Sequence, residues 1–212
     1  MAKIDMHTNN ISGKVGDNVY YLRNGKQLMR RKPAPRKTEP SIPELKHRSK
    51  FAFITKFLLP LNSLFYETFR SDNMLPFNKA LSVNYNHVIP ESYPDWRVDF
   101  SKFRLGEGDI PGLANLTANN LEAGQLQFNW NEKLHPRLST RLDRIYIAIY
   151  NEDLNMWLTY LGSVYRKDGS FILDAEPFSG FPVHIYLGLI SDFWGESSDS
   201  QYLGMVIINN IS

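Results

Sequence analysis

No cysteine occurs in the 212 residues. That absence excludes disulfide staples, thiolate zinc sites, iron–sulfur clusters, a cysteine nucleophile and lipid attachment through sulfur. Long hydrophobic runs are missing too: the longest apolar stretches, Ile145 to Tyr150 and Val183 to Ile190, fall far short of the roughly 20 residues that cross a bilayer. The first ten residues, from Met1 to Asn10, hold no apolar export core, so a cytoplasmic location is expected. His7, His47, His87, His135 and His184 stand far apart and form no HxxxH or HExxH pair. Neither GxSxG, GxxxxGK[ST], DFG nor a calcium loop of the EF-hand type is present, so no catalytic, cofactor-binding or metal-binding residue is expected and the chain is not read as an enzyme. No small-molecule substrate is evident.

What is present is a globular composition, 42% hydrophobic and 22% charged, with a net charge of +2 that conceals an uneven distribution. Residues 1 to 56 carry 13 basic and 4 acidic side chains, a net of +9, and the other residues carry 11 basic and 18 acidic, a net of −7. A basic head on an acidic body has two readings. Either the head meets nucleic acid or another polyanion, or it docks on the acidic body of its own or a neighbouring copy.

The strongest local signal lies in the head. Asn24-Gly25 separates two strand-like runs and supplies the positive φ values of a tight turn, which predicts a β-hairpin of Val15–Leu22 and Lys26–Arg31. A two-residue loop sets Arg23 opposite Lys26, Leu22 opposite Gln27, Tyr21 opposite Leu28, Tyr20 opposite Met29 and Val19 opposite Arg30. An isolated two-stranded hairpin is marginal in water, so this one is expected to lie on the rest of the molecule or on a partner. The residues expected to meet a protein partner or polyanion are Tyr20, Tyr21, Arg23, Lys26, Arg30 and Arg31, with Lys46 and Lys50 behind them.

Pro33, Pro35, Pro40 and Pro43 with Arg36 and Lys37 read as an extended linker. Ser41 and Glu44 then open a helix to about Leu59, and Pro60 breaks it before Leu61, Leu64, Phe65 and Phe69 continue a buried stripe. A third helix is expected over about Leu75 to Tyr85, though Asn78, Asn84 and Asn86 are poor helix formers. From about Trp96 the texture changes to short β runs: Arg97–Leu105, Leu113–Ala118, Gln125–Trp130, Arg144–Tyr150, Trp157–Val164, Ser170–Leu173, Val183–Ser191 and Gln201–Ile208. Strands at this near-regular spacing predict an antiparallel β-sandwich with Trp130, Ile145, Ile147, Ile149, Ile185, Leu187 and Leu189 facing inward. The expected domains are therefore 1–95, hairpin and helices, and 96–212, the sandwich. The segment from Gly106 to Gly112 and the cluster Asp192, Glu196 and Asp199 read as turns rather than phosphate or calcium sites.

Two resemblances follow from these residues. Trp130 late in an early strand, Tyr186 in a penultimate strand and the Gly195-Glu-Ser-Ser turn before the last strand resemble a fibronectin type III or immunoglobulin-like module. The fold class is thus mainly β with a small α layer. The blocks Ser12–Gly16, Tyr20–Gln27, Arg30–Pro33, Arg48–Phe53 with Phe57–Leu61, and Tyr202–Met205 resemble an uncharacterised family of Bacteroidota proteins, a domain of unknown function. That resemblance implies that hairpin, helices and sandwich recur as one unit, and it brings no activity or ligand with it. Two functions stay open: a structural or interaction protein that assembles with itself or a protein partner through the basic hairpin, and a nucleic-acid-binding protein that uses residues 14–50.

Overall fold

The computed structural model describes residues 3–5, 10–23, 25–35, 38–70, 74–90, 93–122 and 124–210. The chain divides into two compact units, Met1–Ile42 and Pro43–Ser212.

In the first unit, β1 (Lys3–Asp5), β2 (Asn10–Val15), β3 (Asn18–Arg23) and β4 (Lys26–Arg31) form an antiparallel sheet in the order β1-β2-β3-β4. The register of β3 on β4 is the expected one, from Arg23 opposite Lys26 to Val19 opposite Arg30. Gly25 has φ +71°, while Asn24 lies outside the described residues. The expected hairpin is nevertheless incomplete. Val15 ends β2 instead of starting β3, because Gly16-Asp17 makes a second tight turn in which Gly16 takes φ +55° and Val15 pairs with Asn18. Residues 32–35 and 38–41 have no regular structure, as a proline linker dictates, and Arg36 and Lys37 lie outside the described residues.

The second unit opens on helices α1 (Ile42–Leu58), α2 (Asn62–Thr68) and α3 (Pro76–His87). Pro60 sits in a 3₁₀ turn, Leu59–Leu61, that separates α1 from α2, since it offers no N–H to continue the ladder. Then follow β5 (Ala114–Asn120), β6 (Gln125–Asn131), β7 (Arg144–Asn151), β8 (Met156–Tyr165), β9 (Ser170–Asp174), β10 (Pro182–Ser191), β11 (Glu196–Ser197) and β12 (Gln201–Ile207). One sheet has the order β5-β6-β9; the other runs β8-β7-β10, with β11 and β12 both pairing β10. This is the expected sandwich. Ile145, Ile147 and Ile149 of β7 and Ile185, Leu187 and Leu189 of β10 are buried against Leu126, Phe128 and Trp130 of β6.

A second core lies on the opposite face of β7 and β10, where Tyr146, Ala148, Tyr150 and Tyr186 pack with Ile54, Phe57, Leu61, Phe65 and Phe69 from the helical layer. The body is therefore three layers deep. Helices and sandwich share this core.

The expected strand Arg97–Leu105 is not a strand. Its residues form an irregular segment between α3 and β5 that buries Phe103 and Leu105, and side chains satisfy its backbone in place of a ladder. Asn84 is buried in α3, accepts the Arg104 N–H and donates to the Arg104 carbonyl, both at 2.9 Å. Thr68 donates to Leu105 O at 2.6 Å, and Tyr186 Oη donates to Phe100 O at 2.7 Å.

Candidate functional site

Successive residues of a strand point to opposite faces, and cross-strand partners share a face about 5 Å apart. On the β3–β4 register, Lys14, Val19, Tyr21, Arg23, Lys26, Leu28 and Arg30 fall on one face of the N-terminal sheet, and Val15, Tyr20, Leu22, Gln27, Met29 and Arg31 fall on the other. One face is thus basic. The Arg23–Lys26 pair and the Lys14–Val19–Arg30 row lie on either side of the Tyr21–Leu28 pair, at roughly 7 Å per two residues of strand. The other face is mainly apolar, with Gln27 and Arg31 beside Val15, Tyr20, Leu22 and Met29; Val15, Leu22 and Met29 are 51%, 49% and 58% exposed. Gln27 adds a cross-link: its amide donates to Ile11 O at 2.8 Å and accepts the Ile11 N–H at 3.0 Å.

The expected contact residues are thereby sorted. Tyr21, Arg23, Lys26 and Arg30 share the basic face, whereas Tyr20 and Arg31 belong to the apolar one. Lys46 and Lys50 lie on α1 in the other unit, with Lys50 Nζ 4.8 Å from the centre of the Tyr85 ring. The expected contact residues did not name Lys14 or Val15. The signal that places them is Gly16-Asp17, a loop of the Gly-Asp type between two strand-like runs.

Several charged side chains of the body are held in closed arrangements. Arg166 and Asp143 form a fully buried ion pair at 3.0 Å. Arg166 also donates to the Lys133 and Pro111 carbonyls at 2.8 Å each, and its own carbonyl accepts the Trp130 indole N–H at 2.8 Å. Asp143 accepts from Thr140 N–H and Oγ1. This cluster ties together the loops at one end of the sandwich. His184 is buried between the Tyr202 hydroxyl at 2.8 Å and Glu152 Oε1 at 2.9 Å, and its ring stacks on Phe100. Burial raises the pKa of the Tyr146, Tyr150, Tyr186 and Tyr202 phenols.

Among the described residues no three His, Asp or Glu side chains cluster at metal-ligand spacing, and His7 lies outside them. Of the acidic cluster, Asp192 is held by a bidentate Arg144 at 2.7 Å, which lowers its pKa. Asp199 accepts the Gly108 N–H at 3.3 Å. The segment from Gly106 to Gly112 lies against β11, where a side chain on Gly108 would strike the Ser197 carbonyl. A concavity of about 620 Å³ beside it contains Lys102 and Arg104, and these cations already face Asp99 at 2.9 Å and Asp199 at 3.9 Å.

The model of a family of unknown function, DUF6266, matches residues 10–204. No curated protein matches the chain. Among solved structures, the fibronectin type III domain of human contactin 1 is similar with a TM-score of 0.40 and 9% identity, covering 50% of this chain and 83% of that one. A fibronectin type III domain of human collagen alpha-1(XX) has a TM-score of 0.37 and 14% identity, covering 50% of this chain and 92% of that one.

Proposed function

The chain belongs to the DUF6266 family, whose function is unknown, and on that footing we propose that it is a non-enzymatic structural or interaction protein that associates through its N-terminal sheet. One observation carries this reading: the sheet gathers Lys14, Arg23, Lys26 and Arg30 on one face and leaves Val15, Leu22 and Met29 exposed on the other. A single layer of sheet has no second layer of its own to bury that face against, and contact with protein is what an exposed apolar face favours. The occupant of the face is a protein surface, a second copy included.

The test is sedimentation of the full chain over a wide concentration range beside Leu22→Ser/Met29→Ser. Both positions are exposed, so the fold should survive. The reading expects the native chain to self-associate, or to hold a partner, at least about tenfold more tightly than the variant, a difference of roughly 1.4 kcal/mol. Equal behaviour of the two chains would end it.

A second reading is supported by the basic face. Lys14, Arg23, Lys26 and Arg30 surround Tyr21 there, an arrangement of cations and an aromatic ring that suits phosphates and a stacked base. This reading expects labelled single-stranded DNA or RNA to bind with an affinity that falls steeply with salt. It also expects Arg23→Ala/Arg30→Ala to flatten that slope. Salt-independent binding, or none, would remove it.

A further inference from the structure

The four-residue turn Asp192–Gly195 between β10 and β11 carries Phe193 and Trp194, which are 76% and 47% exposed. Phe193 is the most exposed large apolar side chain among the described residues. The two rings meet edge to face with centroids 4.6 Å apart. The turn is held at its base: Gly195 N–H donates to Ser191 O at 2.9 Å, and Arg144 grips Asp192 through two bonds of 2.7 Å. A pre-ordered pair of aromatic rings loses little freedom on binding, and such pairs supply much of the energy of protein contacts.

The same unit holds a counterpart. A groove of about 460 Å³ between α1 and α3 is walled by Phe51, Met74, Leu81 and Tyr85, with His47 at its rim. Residues beside it on α1 are net basic, Lys46, Arg48 and Lys50 against Glu44, whereas the aromatic turn stands among Glu67, Glu107, Asp109, Asp192 and Glu196 against Arg70, Lys79 and Arg144. Knob and groove share no residue and carry opposite charge.

We propose that the body has its own association surface, in which the Phe193–Trp194 turn of one copy seats in the α1–α3 groove of another. The proposal goes beyond the N-terminal sheet and does not depend on it. Because knob and groove are different patches, the contact is head to tail and propagates into a ring or an open chain unless two copies exchange knobs reciprocally. Two aromatic side chains bury about 150–250 Å² each, less than the roughly 800 Å² per partner of a stable complex. The contact alone is therefore weak, and repetition along an array makes it effective.

The test uses the full chain carrying Leu22→Ser/Met29→Ser, so that the N-terminal sheet contributes nothing to association. In that background, Phe193→Ser/Trp194→Ser removes the knob and Phe51→Arg/Met74→Arg blocks the groove. Ser82→Arg, at an exposed position on α3, is a second block should the first fail to fold. By sedimentation at about 100–500 μM, a range suited to a contact of this weakness, the background chain should associate and each further variant should lose at least about tenfold in affinity. An equal mixture of knobless and groove-blocked chains retains one compatible contact and should stop at pairs. A monomeric background chain, a mixture that stays monomeric, or a knobless chain that associates as the background does would each overturn the proposal. The last result would mean that the body associates without this turn.

Discussion

β7 and β10 are buried along nearly their whole length, on both faces, whereas β4 is exposed at all six of its residues and β3 at three. Composition is only part of the difference: β4 holds no β-branched or aromatic residue, but β3 has Val19, Tyr20 and Tyr21 and is still exposed at three positions. The other part is the presence of other layers. In the body, an aliphatic face meets the second sheet and an aromatic face meets the helices. In the N-terminal sheet, register and two tight turns set the structure, and its apolar side chains are left for something else to cover. The body's strands are enclosed in two cores, and on the reading proposed above the N-terminal strands make contact.

That contrast predicts where substitutions act, and the largest effects belong in the body. Asp143→Ala leaves the Arg166 guanidinium buried without its counter-ion and should cost about 3–5 kcal/mol in a denaturant melt. Trp130→Ala, in the aliphatic core, should cost a similar amount, about 3–5 kcal/mol. Gly188→Ala comes next. Its new methyl group would strike the Tyr146 ring and hydroxyl on the crowded aromatic face, an overpacking of about 1–3 kcal/mol. If this substitution is silent, the aromatic face is looser than described.

Acid should have a smaller effect. Arg144 holds the folded pKa of Asp192 below its ordinary value. The stabilisation is therefore complete above the unfolded value of about 3.9 and is lost as the pH falls through the folded one. Since Asp192 is more than half exposed, the pair should contribute under about 1 kcal/mol, which a comparison of acid titrations with Asp192→Asn would reveal. Smallest of all, Leu22→Ser/Met29→Ser should move the melting free energy by no more than about 0.5 kcal/mol while weakening association. A large loss of stability there would erase the distinction between the two regions.

Much of the body was legible because alternation and turn chemistry agree. Ile145, Ile147 and Ile149 stand at every second position, and Gly169, Gly180 and Gly195 mark turns between strands. The same alternation hid the second core. Tyr146, Tyr150 and Tyr186 alternate with the inward aliphatic residues, and only the tertiary packing of Phe57, Phe65 and Phe69 makes their face an interior as well. Residues 97–105 misled for a related reason: Val98, Phe100 and Phe103 are apolar because they fill the gap between helices and sheet, not because they pair. In the N-terminal sheet, the β3–β4 register was readable from Asn24-Gly25, and with it the face on which each of those side chains lies. The addition of Lys14 and Val15 was not, because the Gly16-Asp17 turn that brings in β2 was taken for part of one long strand.

Hydrogen exchange of the full chain at low and high concentration tests the central claim most directly, because it reads every segment of the unaltered protein at once. The account predicts that raising the concentration, or adding a protein partner, slows exchange across residues 15–31 and leaves β6, β7 and β10 unchanged. If residues 15–31 exchange at the same rate under all conditions, the N-terminal sheet is not the contact surface of this protein.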